Sequence, residues 1–226
     1  CASRADSLSA RYRGCGGMNQ TDASSVFVNC PFDDDFRNCH LAIILTIVAC
    51  GLTPRSALET GSTSVPRIKR ISAALRQSRF SIHDLTRIHA DPVTNVARFN
   101  MPFELGMAFQ YAEHAGELGT SHDWMGLVLK GHRHHDYLSD LSGFDLMEYD
   151  GSPESVVPPV LSWLLTRPDA PVTWLDLDPA HVLSAYSHYL ERIADSDRFW
   201  GPHRPFVHLV DIAREVCVDN GLFPKD

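Results

Sequence analysis

The sequence has no Cys-x-x-Cys pair, which excludes a zinc ribbon and a thioredoxin-type redox site. It has no Gly-x-Gly-x-x-Gly and no Walker pattern, so neither common phosphate-cradling loop is present. Its longest apolar run, Leu41 to Cys50, is too short to cross a bilayer as a helix. Positive charge is also in deficit: 20 Lys and Arg against 28 Asp and Glu leave a formal charge of −8. A general nucleic-acid binder needs a basic stripe to displace counterions, and the acidic balance argues against that class. A local basic pocket stays compatible with the total, because net charge does not fix its distribution. The stretch from Cys1 to Gly17 is rich in Ser, Arg and Gly and lacks the apolar segment of a signal peptide. It is expected to be cytoplasmic, with 1–21 a disordered leader or cloning-derived segment; Met18 is a candidate start. Of the six cysteines, three sit in or beside apolar segments, where a free thiol behaves as a small buried hydrophobe.

What is present is an ordinary core-forming composition, 44% hydrophobic over 226 residues. Val26 to Asn29 reads as a first strand, followed by the acidic turn Asp33-Asp34-Asp35 and an apolar helix from Phe36 to Cys50. Gly51 stops that helix. Thr53 to Leu58 is a second strand, and Pro66 opens a basic helix to Ser78 whose buried face is Ile68, Ile71 and Leu75. Phe80 to Leu85 is a third strand, then Thr86 to Asn100 a long polar loop. After a helix to His114, Trp124 to Lys130 is a continuous apolar fourth strand, as a buried parallel strand requires. Phe144 to Tyr149 is a fifth, and Ser155 to Leu165 a helix with Pro158 and Pro159 expected in its first turn. This alternation predicts an α/β fold: a flavodoxin-like open parallel sheet of about five strands flanked by helices. It would occupy 22–167, with a C-terminal helical extension over 168–226, where Asp178-Pro179 starts a helix to Ala194 and Pro205 to Asn220 forms another. The aromatics of this extension are read as a packing surface.

The stretch Arg98-Phe99-Asn100-Met101-Pro102-Phe103-Glu104-Leu105-Gly106-Met107-Ala108 carries the chemistry. Pro102 suits the first helical position, which puts Glu104 near N3 with Asn100 or Met101 as cap. Sheet topology then brings Asp84, Glu104 and the Asn29 to Asp35 loop to one edge, where open α/β sheets bind ligands. A carboxylate there can stabilise or attack a sugar C1 cation as an N-glycosidic bond breaks. The helix N-terminus would favour its ionised form, as a nucleophile needs. The alternative is a capping-box glutamate that ties down its own helix; spacing alone leaves both open.

Met101-Pro102-Phe103-Glu104-Leu105-Gly106-Met107-Ala108 resembles the glutamate motif of nucleoside 2-deoxyribosyltransferase-like enzymes, an E-[LI]-G-x-A helix start bearing the nucleophile. The architecture is also similar to Toll/interleukin-1 receptor (TIR) domains, many of which cleave NAD with a helix-borne glutamate. Val26 to Phe32 resembles the first strand and substrate loop of both groups, and Ser81-Ile82-His83-Asp84 the aspartate-bearing strand end. The resemblance spans Val26 to Asp150. It implies an N-glycosidase, hydrolase or transferase, acting on a nucleoside, nucleotide or NAD, with Glu104 and Asp84 catalytic. Asn29, Pro31, Phe32, Asp33, Arg55, Arg98, Asn100 and Met101 would bind substrate. It implies no metal and no cofactor, NAD entering as substrate, and a homo-oligomer that completes the pocket from a neighbouring subunit. Two departures bear on substrate identity: the transferases are shorter and lack a loop like Thr86 to Asn100, and TIR domains surround their glutamate with other residues.

Arg55, Arg87 and Arg98 are candidates for meeting a phosphate, and Asp33 to Asp35 for Mg²⁺ or ribose hydroxyls. His132-Arg133-His134-His135-Asp136 matches H-x-H-x-D, a spacing used by zinc hydrolases. Those enzymes usually follow it with another histidine, where this chain has Tyr137, and a solvated His-rich loop is the simpler reading. Ser81 and His83 share a strand face but have no nucleophile elbow, which sets aside a serine hydrolase. The other function class is a non-catalytic TIR-like domain that senses a nucleotide or binds a protein through its C-terminal aromatic helices.

Overall fold

The computed structural model describes residues 22–59, 64–88, 97, 99–117, 119–131, 136–167 and 177–222. Five strands form one parallel sheet: β1 (Asp22–Asn29), β2 (Thr53–Arg55), β3 (Ser78–Asp84), β4 (Asp123–Leu129) and β5 (Met147–Tyr149). Their order is β2-β1-β3-β4-β5. Among the described residues six α-helices flank it: α1 (Arg37–Ala49), α2 (Arg67–Gln77), α3 (Asn100–Ala115), α4 (Pro153–Leu165), α5 (Pro179–Trp200) and α6 (Phe206–Asp219). This is the α/β open sheet that the alternation predicts.

Strand alternation sorts the sheet residues between one large core and two smaller clusters on the opposite face. Val26, Val28, Phe80 and Ile82 face the larger one, with α1, α4, α5 and α6. Phe27 faces Ile71, Ala74 and Leu75 of α2 and Ala108 of α3 on the other side. Because the chain turns one way from β1 to β2 and the other way through β3 to β5, right-handed crossovers put α1 opposite α2 and α3.

Helix α1 is buried continuously from Cys39 to Ala49, apolar on every side. A helix of that kind needs cover all round. The sheet supplies one side, and α4, α5 and α6 supply the rest, sharing one hydrophobic cluster with it. Tyr186 and Tyr189 are buried there, each donating its hydroxyl proton to a backbone carbonyl, of Asn38 and Leu209. Part of the aromatic set thus packs as expected, whereas Phe199 and Trp200 are exposed.

Several boundaries differ from expectation. Strand β1 begins four residues earlier than its apolar run, where Asp22 accepts from Ser24 and Ser25. Strands β2 and β5 are shorter, three residues each. Pro153, not Pro158, opens α4; Pro158 and Pro159 lie inside it, with Ser152 as the cap that accepts from the Ser155 N–H. Each of these two prolines removes one helical donor, and the burial of Val156, Val157, Val160, Leu161 and Leu164 holds the helix nonetheless. Helix α5 runs six residues past Ala194.

Candidate functional site

The carboxyl ends of β1 and β3, neighbours in the sheet, sit at the point where the strand order reverses; ligands of open α/β sheets bind at such points. Residues from four segments meet there: Asn29 to Asp33 after β1, His83 to Arg87 after β3, Arg67 at the start of α2, and Met101 and Glu104 on α3.

Helix α3 starts two residues before Pro102, with Phe99 as N-cap and no side-chain cap bond. Pro102 is therefore the third helical residue. Its missing N–H is still free of cost, since the helical bonds begin with the Phe103 N–H donating to the Phe99 carbonyl at 3.1 Å. Glu104 becomes the fifth helical residue, past the free N–H groups, so the capping-box arrangement is not the one adopted. Its side chain is buried rather than projecting from an exposed start: the residue is only 4% exposed. Burial pushes its carboxyl up to about 7, against the opposing pull of Arg67. Desolvation thus outweighs the helix-end field that favours ionisation.

Arg67 approaches Glu104 Oε1 at 3.9 Å, and its guanidinium lies 5.5 Å from the centre of the Phe32 ring. Phe32, Arg67 and Glu104 thereby form a contiguous set from three segments. Arg87 ties the other rim: its Nη2 donates to Asp33 Oδ1 at 3.3 Å and Asp35 Oδ2 at 3.5 Å. Asp33 also accepts from the Phe36 N–H at 3.0 Å, which holds the turn into α1.

Asp84 is fully buried, and both its oxygens are engaged. Oδ1 accepts from the Thr86 N–H at 3.0 Å and the Thr86 hydroxyl at 2.5 Å; Oδ2 accepts from the Tyr149 hydroxyl at 2.7 Å. Burial raises its carboxyl to about 6 despite these bonds. It belongs to the α1 face, with Tyr149, while Glu104 comes from the α3 face. The buried Cys30 thiol lies in the field of both carboxylates, and burial, Asp84 and Glu104 all push it well above its ordinary range.

Asn29, 1% exposed, links the end of β1 to β3 and to α3. Its Nδ2 lies 3.0 Å from His83 Nδ1 and donates to the Met101 carbonyl at 3.1 Å. His83 Nε2 is 2.9 Å from Ser81 Oγ, Ser81 Oγ is 2.9 Å from His122 Nε2, and His122 Nδ1 is 2.8 Å from the Ser78 carbonyl. All four side chains are buried. Burial depresses His83 to about 3, aided by His122, and lowers His122, so both rings are neutral.

Of the residues expected to bind substrate, Asn29, Phe32, Asp33 and Met101 are brought together with Glu104. Pro31 is buried in the same loop, and Asn100 is exposed as the first residue of α3. Arg55 goes elsewhere: its Nε donates to Glu59 Oε1 and Oε2 at 2.6 and 2.8 Å, in the turn after β2. Arg98 lies outside the described residues, as do His132 to His135 of the H-x-H-x-D segment. Among the described residues no group of three or more His, Cys, Asp or Glu is arranged to hold a metal ion. No helix there is long and apolar enough to cross a membrane. Arg67, Tyr149 and His122 escaped the sequence reading. Arg67 was detectable as the first helical residue after β2, hence a residue of the same sheet edge; Tyr149 and His122 had no comparable signal.

Two grooves flank α3 outside this cluster. One of about 600 Å³ lies against α2, lined by Leu75, Phe103, Met107 and Tyr111. The other, of about 530 Å³, includes Leu105, Phe109, Trp124 and Phe144. Neither is lined by Glu104. No protein-family model matches this sequence, and no curated protein is significantly similar to it.

Proposed function

We propose that the protein is a cytoplasmic N-glycosidase, hydrolase or transferase, acting on a nucleoside, nucleotide or NAD, with Glu104 as nucleophile or cation stabiliser. One observation carries this reading: a buried carboxylate titrating near neutrality, beside a guanidinium, at the switch point of an open sheet. Buried ionisable groups with strongly displaced titration cluster at functional sites. A poorly hydrated carboxylate suits an oxocarbenium-like transition state, because its charge acts there in a low dielectric. In its ionised form Glu104 would attack or shield C1 while the base departs; water or a second base would then complete hydrolysis or transfer. Phe32 and Arg67 would pack against the substrate, and Asp84 would act as a positioning residue, holding the β3 end through Thr86 and Tyr149. The chemistry calls for no metal or resident cofactor.

The test is free base released from NAD and a nucleoside panel, followed by chromatography. Glu104→Gln should lower release by about 10³-fold or more, in line with removal of a nucleophile or principal electrostatic group. Equal rates for wild type and variant on every substrate would end this reading. A protein-binding role draws on the exposed Phe199 and Trp200 of the C-terminal helices; wild type that releases no base yet captures a partner through that corner would support it.

A further inference from the structure

Helix α3 covers a polar thread whose protons can be assigned one by one. The Ser78 carbonyl can only accept, so His122 Nδ1 carries the proton. His122 is neutral, which leaves its Nε2 bare, an acceptor for the Ser81 hydroxyl. Ser81 has spent its one proton, so its oxygen accepts from His83 Nε2–H. His83 is neutral as well; its Nδ1 is bare and accepts from the Asn29 amide, whose second N–H goes to the Met101 carbonyl. A backbone carbonyl at the start of β3 thus dictates which end of the Asn29 amide points which way. The outcome is that both amide protons are consumed and Oδ1 is left, buried, without a hydrogen-bond partner among the described residues. A buried acceptor in that condition carries its full desolvation penalty unless something donates to it.

We infer that Asn29 Oδ1 accepts a hydrogen bond from a sugar hydroxyl of the substrate, and that the His83–Ser81–His122 thread is the device that keeps this oxygen facing the ligand. The inference rests on the glycosidase reading for the word sugar, since Met101, which Asn29 grips, lies one helical turn before Glu104. Asn29 is then a specificity residue and Ser81 a positioning residue. A site built to pair a hydroxyl rejects analogues that lack it far more strongly than an apolar pocket does.

Imidazole ¹⁵N spectra of the wild-type protein should show His83 protonated at Nε2 and His122 at Nδ1, opposite tautomers in one thread. The same tautomer at both rings, or an imidazolium at either at pH 7, overturns the assignment. Binding of adenosine, 2′-deoxyadenosine, 3′-deoxyadenosine and NAD is then measured by calorimetry in a Glu104→Gln background, where turnover is stopped. One deoxy analogue should bind at least about tenfold more weakly than adenosine, and Asn29→Leu should erase that difference. Ser81→Ala should shrink it and mix the His83 tautomers, and Ser81→Thr should restore both. Unchanged discrimination in Asn29→Leu, or no binding by any probe, overturns the proposal. If Asn29→Leu does not fold, the Asn29 ¹³Cγ signal of the Glu104→Gln protein decides instead: it should move with adenosine and not with the rejected analogue. Base release without Asn29-dependent discrimination would sink this inference alone, and discrimination without Glu104-dependent release would sink the glycosidase reading alone.

Discussion

A buried carboxylate with a raised pKa costs stability once it ionises, and Glu104→Gln should return that cost in a pH-dependent way. In the folded protein the Glu104 carboxyl titrates at about 7 against an ordinary value of 4.5. Between those values the folded state retains a proton that the unfolded chain has released, so stability falls as pH rises through the window and levels off above it. At about 1.4 kcal/mol per pH unit, the full cost is on the order of 3 kcal/mol. Glutamine has no such titration. Whatever its amide costs in packing or lost pairing with Arg67 is nearly independent of pH, and Asp84 titrates in both proteins alike. The gap in unfolding free energy, variant minus wild type, should therefore widen by about 2–3 kcal/mol between pH 5 and pH 8. In urea melts this is a relative midpoint shift of roughly 1 M. A gap that stays constant from pH 5 to pH 8 would mean that Glu104 is not a desolvated carboxylate, and the electrostatic basis of the proposed site would fall with it.

Arg67→Ala should move the Glu104 titration further up, since its cation is removed. The acid limb of the pH–rate profile would shift to higher pH by less than about one unit, because a half-exposed pair is worth about 0–1 kcal/mol. Tyr149→Phe leaves the buried Asp84 carboxylate short of one donor, and chemical denaturation at pH 7 should show a loss of about 1.5–3 kcal/mol. Phe99, the cap of α3, and Phe103 within it are exposed and would supply an apolar face to the proposed homo-oligomer. If copies meet there, Phe103→Asp should lower the mass seen by light scattering; an unchanged oligomer would place the contact elsewhere.

The parallel sheet was legible because β1 and β4 centre on short apolar runs, because turn signals separate the segments, and because α1 and β4 read as segments buried on all sides. The edge clustering of Asn29, Asp33, Asp84 and Glu104 followed from topology alone, without any side-chain detail. What escaped the sequence depends on depth and partners. Nothing in Met101-Pro102-Phe103-Glu104 shows that the helix begins before the proline, or that Glu104 turns inward rather than toward its own N-terminus. Arg55 and Arg67 look alike in sequence, and only the fold commits one to Glu59 and the other to Glu104 and Phe32. The pairing of Ser81 with His83 was visible as strand alternation, but its meaning changed once His122, some forty residues away, supplied the next link and left no exposed hydroxyl.

The outermost strands, β2 and β5, are only three residues long. A sheet edge is a row of unsatisfied peptide groups inviting another chain to extend it, and trimming the edge strand is one of the ways proteins blunt this hazard. Here both outer strands are trimmed; β3 is paired on each side, while β1 and β4 meet their outer partners only over Ser25 to Phe27 and Leu127 to Leu129. The outermost strands themselves thus offer little length for cross-chain growth, a safeguard for parallel strands that must find distant partners during folding. Self-recognition by strand addition has little template in strands this short, and any contact between copies would be sought first on helical surfaces such as the start of α3, where Phe103 is exposed beside Glu104.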